Sequence, residues 1–164
     1  MEYTLTESEQ LIAKFVAETR TANNRNAGIG NNRRSEMSDF EVDLQGFAGE
    51  LAFCRLANVF PDLTVHNRSA AKGQDNGDCI LNGLRIDVKT SKRPDSGLWV
   101  GKRKIGTADA YALMVGTFPT FKLIGLANTE DVIKGRLHND SWVLPQDKLV
   151  SLAAWQVDRY FQGS

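Results

Sequence analysis

Cysteines, long apolar runs and net charge are all scarce in this sequence. Cys54 and Cys79 are its two cysteines; both stand among apolar neighbours, and neither belongs to a CxxC pair. Such isolated cysteines are typical of buried thiols in a reducing compartment, so a disulfide scaffold and a zinc site are both disfavoured.

Membrane segments and signal peptides find no support either. No apolar run approaches the roughly 20 residues that cross a membrane, and the first residues, MEYTLTESEQ, lack the basic and apolar regions of a signal peptide. We therefore expect a cytoplasmic protein that does not enter a membrane. Lys and Arg together number 20, and so do Asp and Glu. Because this balanced total predicts no partner, the distribution of charge has to be examined.

What is present suits an ordinary globular domain. The 164 residues are 41% apolar and 24% charged, which allows one domain with a sizeable core. Helices are predicted over about residues 7–20, where Thr6 and Glu9 have capping-box spacing, and from Ser38 along the apolar stretch that follows. A hairpin, two strands in AYALMVGTF and FKLIGLA, and a closing helix from Pro145 complete the pattern. This order indicates a mixed α/β fold with a central sheet.

The hairpin is predicted in GDCILNGLRIDVKTS, residues 77–91. Its Asn82-Gly83 pair lies between two apolar runs and is the strongest short-range signal for a two-residue turn. Counting outward from this turn places Cys79 opposite Ile86. Because side chains alternate between the two faces of a strand, one face of the hairpin is entirely apolar and belongs to the core.

Acidic residues gather on the other face. The same count places Asp78 opposite Asp87, with Lys89 one step further along that face. Facing carboxylates repel each other, so they need a shared proton, a neighbouring cation or a metal ion. Glu50, in an otherwise apolar helix, supplies a third acid. The alternative is a solvated hairpin face with an incidental Asp–Lys ion pair.

These motifs resemble the PD-(D/E)XK nuclease superfamily. The matching elements are Gly49-Glu50 on a helix, Gly77-Asp78 at the start of a strand, and DVKTS from Asp87 to Ser91 on the next strand. The resemblance covers roughly residues 40–128. The literal dipeptide Pro61-Asp62 follows the end of a helix and is interpreted as a turn.

The resemblance implies a restriction-endonuclease-like core, with a central mixed sheet flanked by helices. It also implies a metal-dependent nuclease, in the first place an endonuclease that acts on DNA. Asp78 and Asp87 would bind Mg²⁺ or Mn²⁺ directly, the Val88 carbonyl would add a ligand, and Glu50 would bind directly or through water. Lys89 would orient or activate the attacking water. Small members of this kind serve phages or DNA repair and recombination. A homodimer would permit double-strand cleavage, although nothing in the chain requires one.

One nuclease-like domain, residues 1–164, is expected to have three parts. An N-terminal helix and a basic, Asn/Gly-rich loop occupy residues 1–37, the catalytic core 38–128, and a C-terminal helical segment 129–164. Basic residues of the loop and of the stretch after the hairpin are candidates for binding a phosphate backbone. They are Arg33, Arg34, Lys92, Arg93, Lys102, Arg103 and Lys104.

Three other questions stay open from the sequence. The basic stretch after the hairpin is also compatible with a solubilising surface loop. Trp99 is either a stacking platform or a core anchor, whereas His66 and His138 are interpreted as plain surface or packing residues. The alternative to an enzyme is a non-catalytic nucleic-acid-binding module that keeps the nuclease fold, or a protein in which the acidic hairpin forms only a structural ion pair.

Overall fold

Within the residues that the computed structural model describes, 1–26, 28, 37–65 and 77–162, strands form two sheets. The larger, here called the main sheet, has five strands, and the small sheet has three. The elements in chain order are β1 (Glu2–Thr4), α1 (Glu7–Asn26), α2 (Asp39–Ala57), β2 (Cys79–Leu81), β3 (Leu84–Ser91), β4 (Leu98–Gly101), β5 (Ala110–Thr117), β6 (Thr120–Asn128), α3 (Thr129–Val132), β7 (Arg136–His138), β8 (Ser141–Leu144), a 3₁₀ turn (Gln146–Lys148) and α4 (Leu152–Gln162).

The main sheet is mixed, as predicted. Its strand order is β1-β6-β5-β3-β2; β3 and β5 are parallel, and the other neighbours are antiparallel. The connection from β3 to β5 passes through β4 of the small sheet, where a crossover between parallel strands usually contains a helix. The α/β class is therefore confirmed, whereas the sequence did not predict that the crossover contributes a strand to a separate small sheet.

Two apolar clusters cover the two faces of the main sheet. On one face, Ile86 and Val88 pack in the cluster that contains Phe47 and Leu51 of α2. On the other face, Tyr111 of β5 packs with residues of the small sheet, among them Leu98, Val100 and Leu144. Helices thus flank one face, whereas the small sheet covers the other, and β3 and β5 lie between the two layers.

The first helix begins as predicted and extends further. Thr6 and Glu9 form the predicted reciprocal bonds: the Thr6 amide donates to Glu9 Oε2 at 2.8 Å, and the Glu9 amide donates to Thr6 Oγ1 at 3.3 Å. The buried side of α1 carries Ala13, Val16 and Ala17. Three larger apolar side chains of the same helix are exposed: Leu11, Ile12 and Phe15.

The second helix carries Glu50 and also begins where expected. Ser38 is its N-cap and forms a capping box with Glu41. Gly49 faces β3, and a Cβ at this position would collide with the side chain of Thr90, whereas Gly46 has open space around it. Gly49 therefore marks a close approach of α2 to β3, whereas Gly46 marks none.

The segment 129–164 is only partly helical. It contains α3, the strands β7 and β8 and the 3₁₀ turn before α4 begins at Leu152. The closing helix expected from Pro145 therefore starts later, because Val150 forms a β-bridge with Leu126. No described helix is long and apolar enough to cross a membrane.

Candidate active site

The predicted hairpin forms with the predicted register. Asn82 and Gly83 both have positive φ, 51° and 77°, as a type I′ turn requires. Cys79 pairs with Ile86, and the two positions nearer the turn also pair as counted. Since a one-residue slip would reverse the faces of the strand, this register is what fixes the face on which Asp87 and Lys89 lie.

Asp78 lies just before β2 rather than in the ladder opposite Asp87. Its amide donates to the Ile86 carbonyl at 2.8 Å, and its Oδ2 accepts from the Val88 amide at 2.7 Å. Gly77 makes this possible, because its φ is +72° and a Cβ there would lie 2.8 Å from the Ile86 oxygen. The Asp78 carboxylate, 5% exposed, is thus bonded to the backbone of β3.

The Val88 carbonyl lies on the same edge of the sheet as Asp78. In a strand, the amide and the carbonyl of one residue point to the same side. The Val88 amide points to Asp78, so its carbonyl does as well. β2 pairs only as far as Ile86, and the edge of β3 beyond that point is where both oxygens are found.

Asp87 and Lys89 form a close, largely buried ion pair. Lys89 Nζ lies 2.7 Å from Asp87 Oδ1 and 2.8 Å from Oδ2, and the Lys89 and Asp87 side chains are 28% and 12% exposed respectively. Burial favours the neutral amine, but the charge and hydrogen bond of Asp87, with smaller contributions from Asp78 and Tyr111, outweigh it and raise the pKa of Lys89. Lys89 is therefore an ammonium at neutral pH.

Glu50 approaches from the opposite face of the main sheet and is already paired. Arg20 NH1 lies 3.4 Å from Glu50 Oε2, and both side chains are largely buried, at 14% and 13% exposure. The guanidinium also stacks over the Phe47 ring at 4.8 Å. It donates to the carbonyls of Asp62 and Thr64, at 3.1 and 3.0 Å. The expected third acid thus has a cationic partner.

Arg20 was missed as a site residue in the sequence. It stands at the end of the predicted first helix and lies within the longer α1 of the structure. Its partner Glu50 is distant along the chain, so no local pattern links the two. Asp62, by contrast, lies outside regular secondary structure as expected, and its amide donates to the Asp78 carbonyl at 2.9 Å.

The buried thiols connect the two halves of the site. A hydrogen bond with Cys79 and burial raise the pKa of Cys54, and the negative charges of Glu50 and Asp78 add to this effect. Cys54 lies one helical turn after Glu50, and Cys79 follows Asp78 directly. Both thiols are buried and free, as predicted. Glu50 and Asp78 therefore both influence the buried Cys54 thiol, where α2 packs against the main sheet.

The described residues contain no ready-made metal cage, since no three of their His, Cys, Asp or Glu side chains form a metal-binding group. What the site offers is a smaller set of oxygen donors on and beside β3. It consists of the Asp78 carboxylate, the Val88 carbonyl and the Asp87 carboxylate. Mg²⁺ commonly binds proteins through one or two carboxylates and completes its shell with water and phosphate oxygens. Hard oxygen donors of this number fit such an ion.

The basic candidates that the structure describes are all exposed. They are Lys92, Arg93, Lys102, Arg103 and Lys104. Arg93 pairs with Asp95 at 3.4 Å. Arg33, Arg34 and His66 lie outside the described residues.

Trp99 is not a core anchor. It lies on the outer side of β4, between the buried Leu98 and Val100. Its ring meets the edge of His138 at a centroid distance of 5.6 Å. The small sheet thus presents Trp99 on the face directed away from the main sheet.

Comparison with known proteins gives one match. Residues 1–120 match the model of a family of unknown function (DUF5843). No curated protein and no solved structure matches the chain. The matched stretch contains α1, α2 and the strands from β1 to β5, and with them every candidate site residue. Because it spans well over half of the sequence, the chain belongs to the DUF5843 family.

Proposed function

We propose that this protein is a metal-dependent nuclease that hydrolyses phosphodiester bonds, with DNA as the favoured substrate. The observation that carries the proposal is the convergence of Asp78, Asp87, Lys89 and the Val88 carbonyl on one short stretch of β3. Two of these groups are acids of largely buried residues, Asp78 and Asp87. Buried acids are costly unless they are paired or hydrogen-bonded, and a close group of buried acids and a lysine is frequent at functional sites.

The order and packing of the helices and strands support the proposal. A helix carrying Glu50 packs against the hairpin, and two further strands, β5 and β6, follow it in the main sheet. We propose that these elements are the restriction-endonuclease-like core that the motifs resemble. The small sheet, which β4 of the β3–β5 connection forms with β7 and β8, is then an addition to that core.

Mg²⁺ or Mn²⁺ is the proposed cofactor. Asp78, Asp87 and the Val88 carbonyl would hold it, with Glu50 as a direct ligand or through a water. When bound, the ion would polarise the scissile phosphate and lower the pKa of a water molecule. The remaining contribution comes from Lys89. As an ammonium it is a donor and not a base, so it orients the attacking water and offsets the charge that develops on the phosphate.

A second candidate is a nucleic-acid-binding module without activity. One observation favours it: two of the acids have cationic partners within the chain, Glu50 with Arg20 and Asp87 with Lys89. Acids that are neutralised in this way satisfy the structure without any metal ion. In the nuclease these acids would have to turn from their cationic partners to a metal ion, whereas in the binding module they would keep those partners.

A DNA cleavage assay distinguishes the two candidate functions. Supercoiled, linear, branched and single-stranded DNA would be incubated with the protein in Mg²⁺, Mn²⁺ or EDTA. We expect the wild type to cleave at least one of these DNAs with either metal but not in EDTA, and Asp87→Asn and Lys89→Met each to lower the rate by about 100-fold or more.

The chain provides a matched control for these variants. Asp131 and Lys134 form an exposed pair at 3.0 Å far from β3 in sequence, so Asp131→Asn and Lys134→Met should cleave like the wild type. Equal rates for all five proteins would refute the nuclease. Binding without cleavage of any DNA would establish the second candidate.

A further inference from the structure

Residues 101–106 form the turn that follows β4, here called the basic turn. Backbone hydrogen bonds hold its conformation. The Lys104 amide donates to the Gly101 carbonyl at 2.8 Å, and the Lys102 amide donates to the Asp140 carbonyl at 2.8 Å. Gly106 has a φ of +82°. The turn carries the consecutive side chains Lys102, Arg103 and Lys104, all exposed. Its cations therefore project from a backbone whose shape is set by its own hydrogen bonds.

A buried tyrosine fastens this turn to the main sheet. Tyr111 is fully buried, and its hydroxyl donates to the Lys104 carbonyl at 2.6 Å. The same oxygen accepts from the Gly106 amide at 3.1 Å. A phenol offers one donor and one acceptor position of this kind, and Tyr111 uses both on the basic turn.

Tyr111 is also the direct neighbour of the acid–lysine pair. It lies opposite Asp87 in the parallel register of β3 and β5, so the two side chains emerge on the same face of the sheet. The nearby phenol contributes to the raised pKa of Lys89. One side chain thus links the candidate active site on β3 with the three cations of the basic turn.

We infer that the basic turn is a preformed clamp for the phosphodiester backbone and that Tyr111 is the residue that positions it beside Asp87 and Lys89. The ligand is a polyanionic chain recognised by charge and spacing, not by base sequence. The identity of this ligand rests on the proposed function. A phosphate held by the basic turn would place the adjoining backbone next to the acids on β3.

Binding is measured without cleavage, by fluorescence anisotropy of a labelled DNA duplex in EDTA at several salt concentrations. Replacing Lys102, Arg103 and Lys104 together by Gln should lower the affinity about 10-fold or more. It should also reduce the slope of log affinity against log salt by about 0.9 for each phosphate that the variant no longer neutralises. The control is Lys134, Arg136 and Lys148 replaced by Gln, which removes the same charge from exposed positions elsewhere.

Tyr111→Phe tests the positioning role. It leaves every charge in place, so the salt slope should stay at the wild-type value while the affinity falls about 3- to 10-fold, because the turn must now be ordered on binding. The Gly106 amide should exchange its hydrogen faster, since its acceptor is removed. Melting temperatures show whether each variant is folded, and the Gln variant tests the clamp even if Tyr111→Phe does not fold.

Two outcomes would overturn the inference: equal reductions of affinity in the two Gln variants, or unchanged binding in the variant of the basic turn. Neither decides whether the protein cleaves DNA. Conversely, a wild type that binds through the basic turn but cleaves nothing would refute the proposed nuclease and leave the clamp intact.

Discussion

Lys89 owes its charge to a competition between burial and attraction. Burial alone would lower its pKa, whereas Asp87 at 2.7 Å, together with Asp78 and Tyr111, raises the pKa further than burial lowers it. The balance decides the chemistry available at the site, because an ammonium donates hydrogen bonds and cannot accept a proton. The sequence alone left both roles open, orientation or activation of water.

Alkaline unfolding should reveal this pair. Because the pKa of Lys89 is raised above its ordinary value of 10.5 in the folded state, the pair stabilises the protein fully below that pH, and the contribution is lost as the pH rises through the folded-state pKa. We therefore expect the unfolding free energy of Lys89→Met, measured with urea, to fall less steeply than that of the wild type between about pH 9 and about pH 12.

Lys134→Met serves as the reference, because it removes a lysine from an exposed Asp–Lys pair, which contributes little to stability in water. Parallel curves for Lys89→Met and the wild type would contradict the raised pKa.

How much of the site the sequence could predict depends on distance along the chain. Asp87 and Lys89 stand two residues apart on one strand, so alternation alone places them together. Asp78 required the Asn82-Gly83 turn, and the count was right up to Cys79 and Ile86. Beyond that pair, Gly77 turns the chain so that Asp78 bonds to the backbone of β3. This conformation depends on tertiary contacts, so counting residues from the turn cannot predict it.

At the scale of elements, the contact between α2 and β3 sets how near Glu50 comes to the strand. Gly49 faces the side chain of Thr90 there. The Thr90 hydroxyl has no hydrogen-bond partner among the described residues. The contact is thus one of shape, and a single methyl group should disturb it.

Two glycines of the same helix test this contact. Gly46→Ala meets nothing within 4 Å and should stabilise the protein by about 0.5–1 kcal/mol through helix propensity. Gly49→Ala should instead destabilise it by about 1–3 kcal/mol, because the methyl group collides with Thr90. Urea unfolding measures both.

A second background identifies the cause. In Thr90→Ala, which lacks the colliding Oγ1 and Cγ2 atoms, Gly49→Ala should cost less than about 1 kcal/mol. An equal cost in both backgrounds would place the strain elsewhere.

The helices and the hairpin were predictable because their signals are local: caps, a turn dipeptide and periodicity. The small sheet was not predictable, since its strands have three or four residues each. In addition, β4 pairs with β8, and the strands β5 and β6 lie between these two in the chain. Short strands carry little alternation, and pairing at such separation leaves no trace in a local window.

At the scale of the whole molecule, the reaction rate of the two buried thiols shows how readily the core opens. Cys54 and Cys79 lie in the cluster that packs α2 against the main sheet, and the raised pKa of Cys54 further suppresses its reactive thiolate. In the native protein both should react with a thiol-specific disulfide reagent at least about 100-fold more slowly than in denaturant. Absorbance of the released thiol follows the reaction.

Ser8→Cys, which adds a thiol at an exposed position of α1, should give one fast equivalent in the native protein. If a native thiol of the wild type reacted as fast as this one, the core between α2 and the main sheet would be open in solution.

The pairing of β1 with β6 has a consequence for how the molecule assembles. Glu2 lies opposite Lys122, and the Leu123 amide donates to the Met1 carbonyl at 2.8 Å. Closing so long a loop is entropically costly and slow, so this edge of the main sheet is completed only after β6 is available. The stretch shared with the family ends at residue 120, where β6 begins. A fragment of that length therefore keeps all the acids of the site but lacks the strand that joins its first residues to its centre.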